Sequence, residues 1–573
     1  MRRVVGPQTL AVIFVTMLAL LFTACSPADS RITPGPEGKS GEKLSENPYT
    51  AQGKRGGTFV RSAGRDSRSG TDPAMGQMSY VIWPQVGGMM LFRHANTWEI
   101  LPGILESWEI SKDGLEYTFH VRKGVKFPNM APVNGREVEA RDIVYTIKGN
   151  YGMLYPDLPP VRFPRRANYE PMVDAVAVDK HTVKVTLAKP SSDFLDAIQE
   201  YRGATVLPEG IREFFGGVEA LAEPSVERYV SPGPFLMTKF QQQVEVEYVR
   251  NPDYWDQPRP WVDKMREIWI PDTSTEMAAF IAGQVDYVAP SGDDERDFVL
   301  SGKKDARVWS YDPGSCWYRL TFNLERKPFD DYRVRRAVAL VMDHVQYGKQ
   351  FKGDWEGKPL WRYPGPLPYV FPESLTQEEL AAHPLYKGPT PENVAEAQRL
   401  LKEAGYGNGF SAEMMTTRSG MADLAQMMVA DFEKHLPGVK IKIDPVDNAI
   451  NHQRSAKKLF DMQNYCYIHE PTAVGMLKTA YHTKGGRNFS GYSSPKVDEL
   501  LDQATVEMDK AKRTQLLRRA QQVILDEGLS MMPTYHGQSQ WVAQPWVKNL
   551  VLGPAWRDYA SFHYLWLDNP PNR

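Results

Sequence analysis

The residues of this chain that could do chemistry sort by what each reaction would demand. His469-Glu470 would begin a helical zinc motif only if the helix continued, and Pro471 interrupts it. No second histidine is obviously paired with His469, and the chain has no Cys-x-x-Cys. Asp293-Asp294 and Asp330-Asp331 are adjacent carboxylates whose side chains diverge, so they read as turn and cap residues rather than as an acid–base couple. The Gly405, Gly407, Gly409 run lacks the spacing of a dinucleotide fingerprint and follows a helical stretch instead of opening one. There is no Gly-x-Ser-x-Gly elbow and no Walker loop. The chemistry left is that of binding. Trp317, Tyr318, Trp361, Tyr363, Tyr465 and Tyr467 could stack on a ligand, and Arg418 or Arg487 could meet a carboxylate. Each ring has core packing as its alternative, and each arginine a solvated strand end. No enzyme is read from these residues, and a hydrolase assembled from distant positions is the rival.

The elements that would position such residues are of both kinds. Leu115, Tyr117, Phe119 and Val121 alternate with Glu116, Thr118 and His120, which predicts a half-buried strand entered through the Asp113-Gly114 turn. Val183, Val185 and Leu187 repeat the pattern, as do Val244, Val246 and Tyr248. Thr390 caps a predicted helix with Pro391 at its first position and Gly405 at its close. Ser494-Pro495 opens another, a third follows Asp509, and Arg333 to Asp343 reads as a fourth. Strands and helices are interspersed throughout, so the fold class is α/β.

The N-terminus sets the compartment. Arg2 and Arg3 precede an apolar run from Leu10 to Thr23, too short to span a bilayer comfortably. Phe22-Thr23-Ala24 before Cys25 resembles the bacterial lipoprotein signal, which implies residues 1-24 as signal peptide and lipidation of Cys25. Ordinary secretion with cleavage nearby is the alternative. Residues 25-54 are rich in Pro, Gly, Ser and charge and read as a flexible tether. A formal charge of −2 gives no global reason to expect nucleic acid. Besides Cys25 only Cys316 and Cys466 occur; outside the cytoplasm they can pair, or both can remain buried thiols.

From Gly56 onward, ordered pieces run through the chain: Gly56-Gly57-Thr58-Phe59, Leu105-Glu106-Ser107-Trp108, Val121 to Phe127, Gly233-Pro234-Phe235, Arg250 to Trp255, Phe322-Asn323, Pro328 to Asp331, and Gly491 to Pro495. In this order they resemble the extracytoplasmic substrate-binding proteins of the peptide, nickel and opine class of ABC importers. The resemblance implies a bilobal periplasmic-binding-protein-like fold with a hinge and an extra third domain. Lobe I would comprise 55-77, 225-312 and 541-573, the extra domain 78-224, and lobe II 313-540. It implies a lipid-anchored, monomeric, extracytoplasmic receptor without cofactor. Such a receptor captures an oligopeptide or similar small organic solute and delivers it to permease subunits with their ATPases. A non-peptide ligand, such as an oligosaccharide, opine or metal chelate, is the alternative. The family's ligand-contacting stretch corresponds to Tyr465 to Thr472, which brings Tyr465, Tyr467 and His469 to the ligand; Trp317 and Tyr318 lie where the family's chain crosses between lobes, and Trp361, Tyr363, Arg418 and Arg487 are candidates by residue type. Peptide binders carry an Asp in this stretch for the peptide's amino group, and this chain has none between Cys466 and Pro471. Cys316 and Cys466 stand where oligopeptide binders hold a disulfide.

Overall fold

The computed structural model describes residues 51–62, 82–95, 97–158, 163, 166–169, 171–199, 205–218, 225–290, 292–311, 316–355, 358–417, 421–468, 470, 472–551 and 562–571. Residues 1-24, expected as a signal peptide, Cys25 and most of the expected tether lie outside them. Among the described residues no helix is long and apolar enough to cross a membrane.

One four-stranded sheet has the order Thr58–Ser62, Lys264–Ile268, Glu245–Arg250, Phe235–Gln241. Its first pair is parallel and the others antiparallel. A three-stranded sheet of Tyr287–Val288, Ser539–Ala543 and Arg307–Tyr311 shares its core through Tyr287, whose ring stacks on Trp541 at 4.5 Å and on Phe59 at 5.9 Å. A second four-stranded sheet is wholly antiparallel, in the order Leu105–Ile110, Glu116–Val121, Thr182–Leu187, Met172–Asp179. A five-stranded mixed sheet runs Lys440–Val446, Ser411–Thr417, Met462–Ile468, Cys316–Phe322, Met531–Pro533.

The five-stranded sheet is covered on both faces, as a sheet with a parallel centre requires. Leu320, Phe322 and Met462 pack with Val334 and Val338, Leu400 and Leu401, and Met428 and Phe432 on one side. Trp317 packs with Leu477 and Tyr481, Val497 and Leu501, and Leu517 and Ala520 on the other.

Local sequence explains most of these elements. Tyr117, Phe119 and Val121 are buried while their neighbours are not, and Val183, Val185 and Leu187 repeat the pattern. Gly114 has φ +70 in the turn before the first of these strands, a conformation that suits glycine. Thr390, Ser494 and Asp509 each accept a backbone N–H in the first turn of the helices Pro391–Glu403, Pro495–Val506 and Lys510–Val523. Thr390→Ala is therefore expected to cost about 1 kcal/mol, read as a shift in the urea midpoint with unchanged slope.

Two expectations need correction. Val244 is not a strand residue: its N–H bonds to the Gln241 carbonyl in the hairpin turn, and its side chain is exposed. The helix expected to reach Asp343 ends at Leu340, because the Asp343 side chain accepts from Gln346 N–H and caps a new helix, His344–Lys352. The adjacent acids sit at helix starts rather than as an acid–base couple. Asp331 caps Tyr332–Leu340, and Asp293 and Asp294 lie in the first turn of Asp293–Gly302.

Motif residues tie separate chain segments together. Asn251 donates to the Gly233 carbonyl at 2.8 Å, and its own N–H bonds the Pro234 carbonyl. Asn323 donates to the carbonyls of Lys458 and Phe460. Buried Arg335 bonds the carbonyls of Phe329, Gly528 and Leu529.

Candidate functional site

In the five-stranded sheet, Ser411–Thr417 runs parallel to both Lys440–Val446 and Met462–Ile468. All three strands therefore end at the same edge, and antiparallel Cys316–Phe322 begins there. A bundle of strand C-termini at a sheet edge is where α/β folds place ligands, because the loops leaving it are free to vary. Thr417, Val446 and Ile468 mark this edge.

The predicted residues distribute unevenly around it. Tyr465 lies on the strand Met462–Ile468, three residues short of its end. Its hydroxyl is 3.2 Å from His452 Nε2 and 3.5 Å from Asn448 Oδ1, and the two rings meet edge to face at 5.4 Å. His452 and Asn448 belong to the helix Asn448–Ala456, which begins directly after Lys440–Val446. Partial burial, with Arg487 nearby, lowers the His452 pKa below the ordinary histidine value, so its ring is neutral at pH 7. Arg487 itself pairs with the Glu470 carboxylate at 3.0 Å. Glu470 is thereby committed to orienting its own loop.

Tyr318 stacks on Tyr535 with ring centroids 4.4 Å apart and packs beside the first of the two cores of this sheet. Trp361 and Tyr363 meet edge to face at 5.5 Å, and Gln377 both donates to the Tyr363 carbonyl and accepts its N–H. Trp317 departs from the role of a stacking wall. It is 1 % exposed, donates from Nε1 to the Gly365 carbonyl, and is enclosed by Tyr481 and the Arg319 guanidinium. Its position on the strand turns it toward the helices, so packing takes the ring.

Arg418 and His469 lie outside the described residues, as does the side chain of Tyr467. Cys466 is disulfide-bonded. Cys316 stands opposite Ile468, and Cys466 opposite Tyr318, so the two cysteines are diagonal neighbours on adjacent strands. The side chain of Cys316 is not among those described.

His452 and Asn448 carried no local signal in the sequence. Their approach to Tyr465 comes from the crossover that lays one helix over the sheet. Two surface depressions, one beside Asp343, Gln346 and Lys349 and one beside Asp330, Asp331 and Tyr406, contain none of the predicted residues.

Comparison with known proteins places this architecture. The family model for the middle part of bacterial extracellular solute-binding proteins, family 5, matches residues 99–488. The oligopeptide-binding protein OppA of Bacillus subtilis is 26% identical over 475 residues, covering 78% of this chain and 82% of that protein. Heme-binding protein A of Haemophilus influenzae is 26% identical over 510 residues, covering 83% and 86%. Among solved structures, the ABC transporter-associated periplasmic binding protein DppA from Helicobacter pylori, in complex with the peptide STSA, superposes with TM-score 0.73 at 22% identity, covering 90% of this chain and 99% of that one.

Proposed function

Because this chain belongs to the bacterial extracellular solute-binding proteins of family 5, we propose that it captures an oligopeptide or similar small organic solute between two closing lobes and delivers it to the permease of an ABC importer. The observation that supports the reading best is the convergence of three strand ends and the start of a fourth on one sheet edge, with Tyr465, His452 and Asn448 beside it. Stacking and a few hydrogen bonds in a closed cleft can supply the roughly 8 kcal/mol that micromolar affinity needs, and no covalent step is required.

In this reading lobe II is 313-540, lobe I is 55-77 with 225-312 and 541-573, and 78-224 is the extra domain. Residues 1-24 direct export, lipid on Cys25 anchors the protein, and 25-54 hold it off the membrane. Replacing Cys25 should then release the protein into the soluble fraction. Cys316 is the proposed partner of Cys466; a non-reduced peptide map should contain that cross-link, and two alkylated thiols would refute it.

A second reading keeps the scaffold and changes the guest. The amine-binding Asp of peptide binders has no counterpart between Cys466 and Pro471, and Glu470 is engaged by Arg487. A lost charged hydrogen bond costs about 1.5–3 kcal/mol, at least a tenfold weakening of an amine-terminated guest. The names of the two relatives, oligopeptide-binding and heme-binding, differ in the same way. Native mass spectrometry of the purified protein decides between these readings: a co-purifying peptide supports the first and a non-peptide solute the second. A solute recovered chemically altered after incubation would mean a secreted hydrolase and end both.

A further inference from the structure

The segment that follows the antiparallel four-stranded sheet reaches across to helices of the five-stranded sheet. Ser192 N–H donates to the Thr505 carbonyl at 2.9 Å, and its hydroxyl lies 3.1 Å from Asp193 Oδ1 and 3.3 Å from the Ala504 carbonyl. Both carbonyls lie in the last turn of Pro495–Val506, where an α-helix leaves its acceptors without partners of its own. The Asp193 carboxylate accepts from the Thr472 hydroxyl at 2.5 Å, and Thr472 in turn accepts Gly475 N–H at 2.9 Å as N-cap of Ala473–Tyr481. A carboxylate thus sits at the positive end of one helix while donors sit at the negative end of its neighbour. Both ends are matched by one dipeptide from the other side of the molecule.

That dipeptide is presented from a rigid base. The Tyr117 hydroxyl donates to the Ser191 carbonyl at 3.3 Å, and Phe194 packs on the Tyr117 ring at 4.9 Å. A second contact along the same seam joins Trp98 to Phe371, with ring centroids 4.8 Å apart. Thr472 ends the loop that leaves the strand Met462–Ile468 at the edge where strand ends converge, whereas Ser192, Asp193, Trp98 and Phe371 belong to other segments.

We propose that Ser192-Asp193 is a clasp between the extra domain and lobe II that grips Thr472, at the end of the ligand-contacting loop, holds the closed form and so raises ligand affinity. The proposal rests on the two-lobe reading above. A ligand shifts a closing equilibrium only by its differential affinity, so a contact made only when closed changes the apparent affinity without touching the ligand.

The test places nitroxide labels on the mature chain at exposed Lys180→Cys and Lys434→Cys and measures their distance distribution. Measurements are made on protein stripped of co-purified solute, and again after adding back the solvent extract of the purified protein. The expected result is a closed-to-open ratio about tenfold lower in Asp193→Ala than in the parent, the worth of one charge-assisted hydrogen bond. The distance at full closure should stay unchanged. Should Asp193→Ala fail to fold, Asp193→Leu carries the same test, because it keeps the volume and removes both the charge and the acceptor. Coincident distributions for variant and parent would overturn the clasp. A single fixed distance in the parent, with and without the extract, would instead overturn the two-lobe reading itself.

Discussion

Replacing Glu267 with Ala is expected to cost about 3–5 kcal/mol of stability, the usual result of stranding one member of a buried ion pair. Arg61 and Glu267 face each other across the parallel strands Thr58–Ser62 and Lys264–Ile268, in direct register. Their side chains are 3 % and 2 % exposed and meet at 2.8 Å. The guanidinium also lies over the Phe562 ring at 4.9 Å and within 3.5 Å of the Tyr287 hydroxyl. Burial pushes the Glu267 carboxyl above the usual carboxylate range, and Arg61 opposes that shift. Loss of the carboxylate leaves a desolvated cation among rings. The double variant Arg61→Met with Glu267→Leu removes both charges at similar volume and should be more stable than Glu267→Ala alone. Guanidinium titrations of the parent, both single variants and the double variant measure the coupling. A loss below about 1 kcal/mol for Glu267→Ala would mean that the pair is not desolvated in solution.

The same pair shows where sequence reasoning stops. Arg61 and Glu267 are far apart in the chain, and a charged residue inside a strand reads as solvent-facing until its cross-strand partner is known. Alternation at Tyr117, Phe119 and Val121 was legible because one face of that strand is buried and the period is strict. The caps at Thr390, Ser494 and Asp509 were legible because a side chain three residues from the N–H it accepts is a local matter. The end of the helix before Asp343 was not, since Val341 and Met342 continue the apolar stripe while Asp343 serves the next helix. At the candidate site the rings could be found by type but not sorted by environment. Trp317 and Tyr465 are two such rings on paired strands, and only the helices lying over the sheet bury the first beside Tyr481 and bring His452 to the second. The seam residues Asp193 and Thr472 carried no sequence signal for each other, because their contact exists only once two separate sheets have been assembled.

Acid should unfold this protein steeply, beginning near pH 6.5. His344 is buried with Nδ1 2.8 Å from the Thr534 carbonyl, so that nitrogen carries the proton and donates. Burial lowers its pKa to about 4. His536 is lowered to about 3 by burial, with Lys352 and Arg362 adding to the shift, and His563 is also held well below the ordinary value by burial, beside Arg259. Each folded-state pKa lies below the unfolded value near 6.5, so the unfolded chain binds more protons as pH falls. The stabilisation from keeping these rings neutral is whole above pH 6.5 and is lost as pH drops toward the folded values. For His344 alone the loss by pH 4 is about 3 kcal/mol. Carboxyls raised by burial, Asp431 among them, act in the opposite sense and blunt the total. A single variant isolates the histidine contribution. His344→Asn keeps a donor for the Thr534 carbonyl but cannot titrate, so it should melt lower than the parent at pH 7.5 and lose less between pH 6.5 and 4. Equal slopes for the two proteins across that interval would show that His344 is protonated in the folded state, and the account of its burial would fail.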